Sequence, residues 1–138
     1  MPKPLGSSSL CIARSVAQCL PVRYDQIMEH PIPIHPQDHA RYDAKKMGKS
    51  TLYRSAQMLV GLNAFEPGQE HALHAHVGMD KVYHVIEGSG LFLLDANEVP
   101  MHAGMLLVAP DGVPHGIRNT GSERLLLIAV LALSLIHI

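Results

Sequence analysis

Three histidines carry the chemistry that can be read from this chain. His74 and His76 stand two apart in HALHAHVG, and a strand sends side chains i and i+2 to one face, so their imidazoles point together while His71 and Ala75 are expected to point away. Alone, such a pair describes a polar patch on an exposed sheet face as well as half a metal site. His115 adds a third imidazole; it follows PDGVP, where Gly112 permits a tight turn and Pro114 sets the start of the next strand. Three neutral imidazoles on one divalent ion leave it its full charge and an open position for water or a ligand.

Short β-type runs must position these residues. They are Met58 to Phe65, His71 to His76, Lys81 to Glu87, Gly90 to Asp95, Glu98 to His102, Met105 to Ala109, His115 to Asn119 and Arg124 to Leu131. Between them lie EPGQ, VGMD, EGSG, DANE, APDG and NTGSE, rich in the residues that supply turn geometry. No stretch of amphipathic helical period competes, so an antiparallel sandwich or barrel that closes its own edges is expected. Lys45 to Ser50, KKMGKS, reads as a polar turn, and the proline-spaced EHPIPIHPQDHARYD, from Glu29, as an extended arm whose His30, His35 and His39 are solvated.

Two stretches carry a family resemblance. GMLLVAPDGVPHGIRN matches the second motif of the cupin superfamily at each fixed position, Gly104, Pro110, Gly112, His115 and Asn119. GQEHALHAHVGMDKVYHVIEG matches the first motif through Gly68, His74, His76 and Gly88. The chain thus resembles a small single-domain cupin of the type-2 kind. That resemblance implies an all-β fold, a cupin-type antiparallel β-barrel (double-stranded β-helix, or jelly roll), whose interior holds a metal on three histidines and one glutamate.

The departure is at the glutamate. Counting back from Gly88 puts Lys81 at the acidic position, whereas counting forward from His76 by the shorter gap puts Asp80 there. Adjacent strand residues face opposite sides, so if Lys81 and Tyr83 point inward, Asp80 reaches an ion only through a bend or bulge at Gly78. The site expected is therefore His74, His76 and His115, with Asp80 as a less favoured fourth ligand and with Lys81 and Tyr83 as substrate-binding residues. Lys81 then adds positive charge and favours a small anionic ligand; otherwise it pairs with Asp80 or extends to solvent. Imidazoles suit Fe, Mn, Zn, Ni and Cu alike, so the divalent metal is not identified.

Function divides into a metal-dependent oxygenase or isomerase acting on a small anion, a non-catalytic sensor or storage barrel, and a metal-free structural barrel. Apart from Asp80 and Lys81 no strongly placed acid or base accompanies the histidines, Glu70 and Glu87 being candidates that sit beside turns, and this weakens the enzyme reading. His84 should face away from Lys81, Tyr83, Phe92 and Met105 are assigned to the core, and Asn119 to a turn or side-chain hydrogen bond.

Composition sets the outer limits. The 138 residues form one ordinary domain, and 11 Lys plus Arg against 12 Asp plus Glu create no field that would gather nucleic acid or an anionic membrane. Cys11 and Cys19 make neither a disulfide framework nor a zinc ribbon, and a reducing cytoplasm is the default. LLLIAVLALSLI, from Leu125, is too short for a membrane span and reads as a buried strand. Residues 1–50 are taken as an N-terminal extension, 51–132 as the barrel, and 133–138 as an artefact, because LSLIHI is what a transposon-end sequencing adaptor encodes. The first 24 residues, without an acid, have a transit-peptide composition, against which Met28 is an alternative initiator. A homodimer pairing through Thr51 to Phe65 and the proline-rich arm is the expected assembly.

Overall fold

The computed structural model describes residue 31 and residues 33–133. The expectations concerning Cys11, Cys19, Met28, His30 and residues 134–138 lie outside them. Among the described residues the strands are β1 (Gly48–Arg54), β2 (Met58–Phe65), β3 (Glu70–His74), β4 (Met79–Glu87), β5 (Ser89–Leu94), β6 (Glu98–His102), β7 (Leu106–Ala109), β8 (His115–Arg118) and β9 (Leu125–Leu133). They form a five-stranded sheet in the order β1-β2-β9-β4-β7 and a four-stranded sheet in the order β3-β8-β5-β6. Every pairing is antiparallel, and the chain is a double-stranded β-helix. No helix among these residues is long and apolar enough to cross a membrane.

Alternation along the strands decides what lies between the sheets. In β9, Leu125, Leu127 and Ala129 face inward and join Phe65, Tyr83, Val85, Phe92, Met101 and Ile117 in one buried cluster, against which Met105 packs half-buried. The intervening Leu126 and Ile128 face outward, where they meet Leu52, Leu62 and Ala64. Ile34, Ala40 and Tyr42 of the N-terminal arm cover that second cluster, so β9 is apolar at nearly every position because both of its faces are covered.

The structure departs from the local sequence signals in three places. Gly48 to Ser50, expected in a polar turn, open β1, with Gly48 opposite Ala64 and Ser50 opposite Leu62. Pairing with an apolar neighbour strand outweighs the low strand propensity of this polar text. Among the described residues of the arm, expected to be extended throughout, Pro36–His39 form a 3-10 turn, where Pro36 supplies a suitable φ at a position that needs no N–H donor. Leu133, grouped by sequence with the adaptor-like tail, ends β9, and its amide donates to the Gln57 carbonyl at 3.0 Å.

Asn119 closes the barrel below the site. It is 1 % exposed; its Nδ2 donates to the carbonyls of Phe65 (3.2 Å) and Glu123 (2.9 Å), and its Oδ1 accepts from Gly121 N (3.0 Å). One side chain thus ties β2, β8 and the turn before β9. Asn119→Ala would strand buried carbonyls, so an expected loss of about 1–3 kcal/mol follows, read from urea unfolding as a lower midpoint at unchanged slope. A variant within about 0.5 kcal/mol of wild type would rule this clamp out.

Candidate metal centre

The pairing of β3 with β8 sets the histidines. His71 lies opposite Ile117 and His74 opposite His115, so three steps on β3 match two on β8 and one residue is extra. This bulge reverses the alternation: His71, expected to point away, turns inward with His74, and their rings stack at 4.1 Å between centroids and 27° between planes. Gly116 makes the bulge possible. A Cβ there would lie 2.7 Å from the His71 carbonyl oxygen and 3.0 Å from Leu73 N, backbone atoms that cannot swing aside.

His76 follows the end of β3 and is held by the loop before β8. Its carbonyl accepts from Gly112 N at 2.8 Å, and Gly78 N donates to Asp111 Oδ1 at 2.7 Å. Gly78, at φ +82, makes the bend that leads into β4. One ligating nitrogen from each of His74, His76 and His115 then lies within 4.8 Å of the others. Asp80 is not brought to this group: its Oδ1 accepts from Asp111 N at 2.9 Å, which turns the carboxylate toward the loop.

The nitrogens divide by role. Nδ1 of His74 lies 2.7 Å from the Ala72 carbonyl and Nδ1 of His115 lies 2.9 Å from the Val113 carbonyl. A carbonyl only accepts, so each Nδ1 carries the hydrogen and each Nε2 keeps its lone pair. The Nε2 atoms of His74, His76 and His115 are all buried without a protein partner. Buried nitrogens are seldom left so, and three orphaned lone pairs in one place fit a metal ion. Burial, then neighbouring positive charge, lowers the pKa of His76; burial also lowers that of His115, against the raising effect of its bond to Val113. His71 is pushed down to about 3, chiefly by burial and then by His74, and its Nδ1 has no partner.

The opposite sheet supplies cations and donors. Lys81 is only 4 % exposed, and its Nζ sits 4.6 Å from the centre of the Tyr83 ring. It forms no ion pair with Asp80 or with another carboxylate of the described residues. Burial, then the charge of Lys49, lowers the Lys81 pKa to about 8, so the ammonium remains mostly protonated at neutral pH. Tyr83 is fully buried, its hydroxyl unpartnered and its pKa raised by desolvation. Its ring lies 5.8 Å from that of His115, so Tyr83 lines the same space. His84 and His102 are exposed, and His35 and His39 lie away from the group.

Sequence reasoning missed His71, Lys49 and Asn63. The bulge that turns His71 inward leaves no mark in HALHAH. Asn63 has a legible signal, an amide inside the apolar run MLVGLNAF at the same parity as inward-facing Phe65. Lys49 has none, because its place depends on β1 pairing with β2.

This barrel with its inward histidines corresponds to a known family: residues 61–131 match the family described as Cupin domain, and the chain belongs to it. The chain is 30 % identical over 90 residues to the oxalate-binding protein of Thermotoga maritima, covering 65 % of this chain and 74 % of that protein. It is 29 % identical over 91 residues to the gentisate 1,2-dioxygenase of a Ralstonia species, covering 65 % of this chain but only 25 % of the enzyme. Among solved structures, the protein TT1209 of Thermus thermophilus superposes with a TM-score of 0.70 at 38 % identity, covering 73 % of this chain and 96 % of that one.

Because the bulge leans on Gly116, Gly116→Ala is expected to cost about 1–3 kcal/mol through overpacking against backbone. Chemical denaturation measures it, and a variant as stable as wild type would show that β3 does not need that space.

Proposed function

We propose that this cupin holds a divalent ion on the Nε2 atoms of His74, His76 and His115 and binds a small carboxylate at the ion's open position, with Lys81 as counter-ion. The observation that carries this reading is the set of three buried, unpartnered Nε2 atoms whose Nδ1 counterparts on His74 and His115 are already spent on carbonyls. Lys81 supports the anionic ligand: at the acidic position counted back from Gly88, a buried ammonium faces the pocket without a carboxylate partner among the described residues. A bound ion would supply Lewis acidity toward a coordinated carboxylate. The chain's own part is to orient the imidazoles through Ala72 and Val113, to exclude water with Tyr83 and Phe92, and to offset negative charge with Lys81. The likeness to a protein named for oxalate binding agrees with this ligand class.

Binding without turnover is the simpler form of the proposal, since Asp80 is engaged by Asp111 and no other acid of the described residues joins the histidines. The likeness to part of a dioxygenase keeps oxygen-dependent turnover as the second reading. Fe, Mn, Zn, Ni and Cu are all compatible with the donor set.

Metal analysis of the purified chain beside a variant with His74, His76 and His115 all changed to Ala is expected to show bound metal only in the former; equal content would sink the site. Lys81→Glu should leave metal content intact and weaken carboxylate binding at least about tenfold, the scale of one lost charge-assisted bond. Oxygen uptake with keto and hydroxy acids separates turnover from binding.

We also propose a homodimer, formed through the outer face of the five-stranded sheet. The arm already covers Leu52 and Leu62, whereas Leu106 and Val108 on edge strand β7 are 58 % and 54 % exposed. Sedimentation equilibrium is expected to give a dimer that Leu106→Lys with Val108→Lys converts to monomer; a wild-type monomer would refute it.

A further inference from the structure

His71 is an inward imidazole to which the proposed function gives no task. It lies opposite Ile117 on β8, and Ile117 lies opposite Phe92 on β5. Direct cross-strand partners share a face, and Ile117 and Phe92 both belong to the buried core. The His71 ring therefore points into the barrel, one row further along β8 than the pair His74 and His115.

This ring is not placed as a ligand. His76 and His115 meet His74 at 86° and 63° between planes, as rings converging on one point do. His71 instead lies nearly flat against His74, at 27° between planes and 4.1 Å between centroids. Its nitrogens do not join the group whose ligating atoms lie within 4.8 Å of one another. Even so, its Nδ1 is buried and has no hydrogen-bond partner. The neighbours named so far supply none: Ile117 and Phe92 are apolar, and Nδ1 of His74 is committed to the Ala72 carbonyl. A buried nitrogen without a partner is unfavourable, and this one belongs to a ring that covers one face of an imidazole of the metal centre. A molecule bound to the ion on that side of His74 would bring its outer atoms next to His71.

We infer that His71 is a specificity-determining residue of the metal centre: its Nδ1–H donates to the oxygen that a carboxylate keeps free when its other oxygen is on the ion. The ligand class narrows to anions that carry an acceptor oxygen beside the coordinated atom, bound through one oxygen and not chelating through both. This rests on the carboxylate reading of the metal centre and deepens it. Lys81, on the other sheet, supplies charge that any anion feels, whereas His71 supplies a directed bond that depends on the ligand's shape.

Titration of the cobalt-loaded full chain with acetate and with thiocyanate, a linear anion whose far end points away from the ion, tests this through the visible absorption of the metal. His71→Phe keeps a ring in the stack and removes the nitrogen; it should weaken acetate binding about tenfold and leave thiocyanate affinity and cobalt content unchanged. His71→Asn, whose amide nitrogen stands near the place of Nδ1, should bind acetate within about threefold of wild type. Wild-type acetate affinity in the Phe variant would overturn the contact, and so would an Asn variant as weak as the Phe one. An equal loss of both anions, or a loss of cobalt, would also overturn it, because His71 would then support the ion and not the ligand. Should Phe unfold the barrel, His71→Leu carries the same comparison. A wild-type chain that takes up cobalt but no acetate refutes the carboxylate reading and the contact with it. If wild type takes up no cobalt, the metal reading fails by itself; calorimetric titration of the metal-free chain with acetate then decides the contact through the same variants.

Discussion

Everything about the site follows from one constraint: an imidazole has two nitrogens, and backbone carbonyls claim one of them at His74 and His115. With Nδ1 bonded to Ala72 and Val113, each ring is held in orientation and tautomer, and its Nε2 must face the interior. That inward nitrogen is then buried beside two others without a partner. The carbonyls in question lie two residues before each histidine, so the site is set by local backbone shape. The bulge at Ala72 and Leu73 and the turn before His115 are therefore parts of the candidate metal centre as much as the rings are.

The bulge in turn depends on the absence of a side chain at Gly116, over which the backbone of His71 to Leu73 lies. Moving β3 away would separate His74 from its cross-strand partner His115. The loop holding His76 is fastened independently, by Gly112, Asp111 and Gly78. Asn119 braces the far end through three hydrogen bonds. Exposed pairs such as Arg118 with Glu70 and Glu98 contribute much less, because solvent screens them.

Charge is the second organising feature. A buried lysine, Lys81, stands at the acidic position counted back from Gly88, and a divalent ion held on neutral imidazoles would add to its positive charge. Asp80 does not offset this, since its carboxylate is turned toward Asp111. In the proposed function a buried ammonium on that wall favours an anionic ligand.

Much of the fold and part of the site were legible in the sequence. Met58 to Phe65 and Glu98 to His102 have the same limits in the structure, because turn residues bracket strongly β-forming runs. The glycine, proline and histidine spacing located His74, His76 and His115, and parity along β4 put Lys81 and Tyr83 on one face and His84 on the other. These properties belong to short stretches of chain, where side-chain direction follows from alternation alone. What only the tertiary structure decided were His71, Asp80, Lys49 and the opening of β1. A bulge reversed the parity of the first, a backbone amide from another loop captured the second, and pairing with β2 drew Gly48 to Ser50 of KKMGKS into a strand. In each case the deciding partner is distant in sequence, and hydrogen bonds formed across that distance override the preference of the local text.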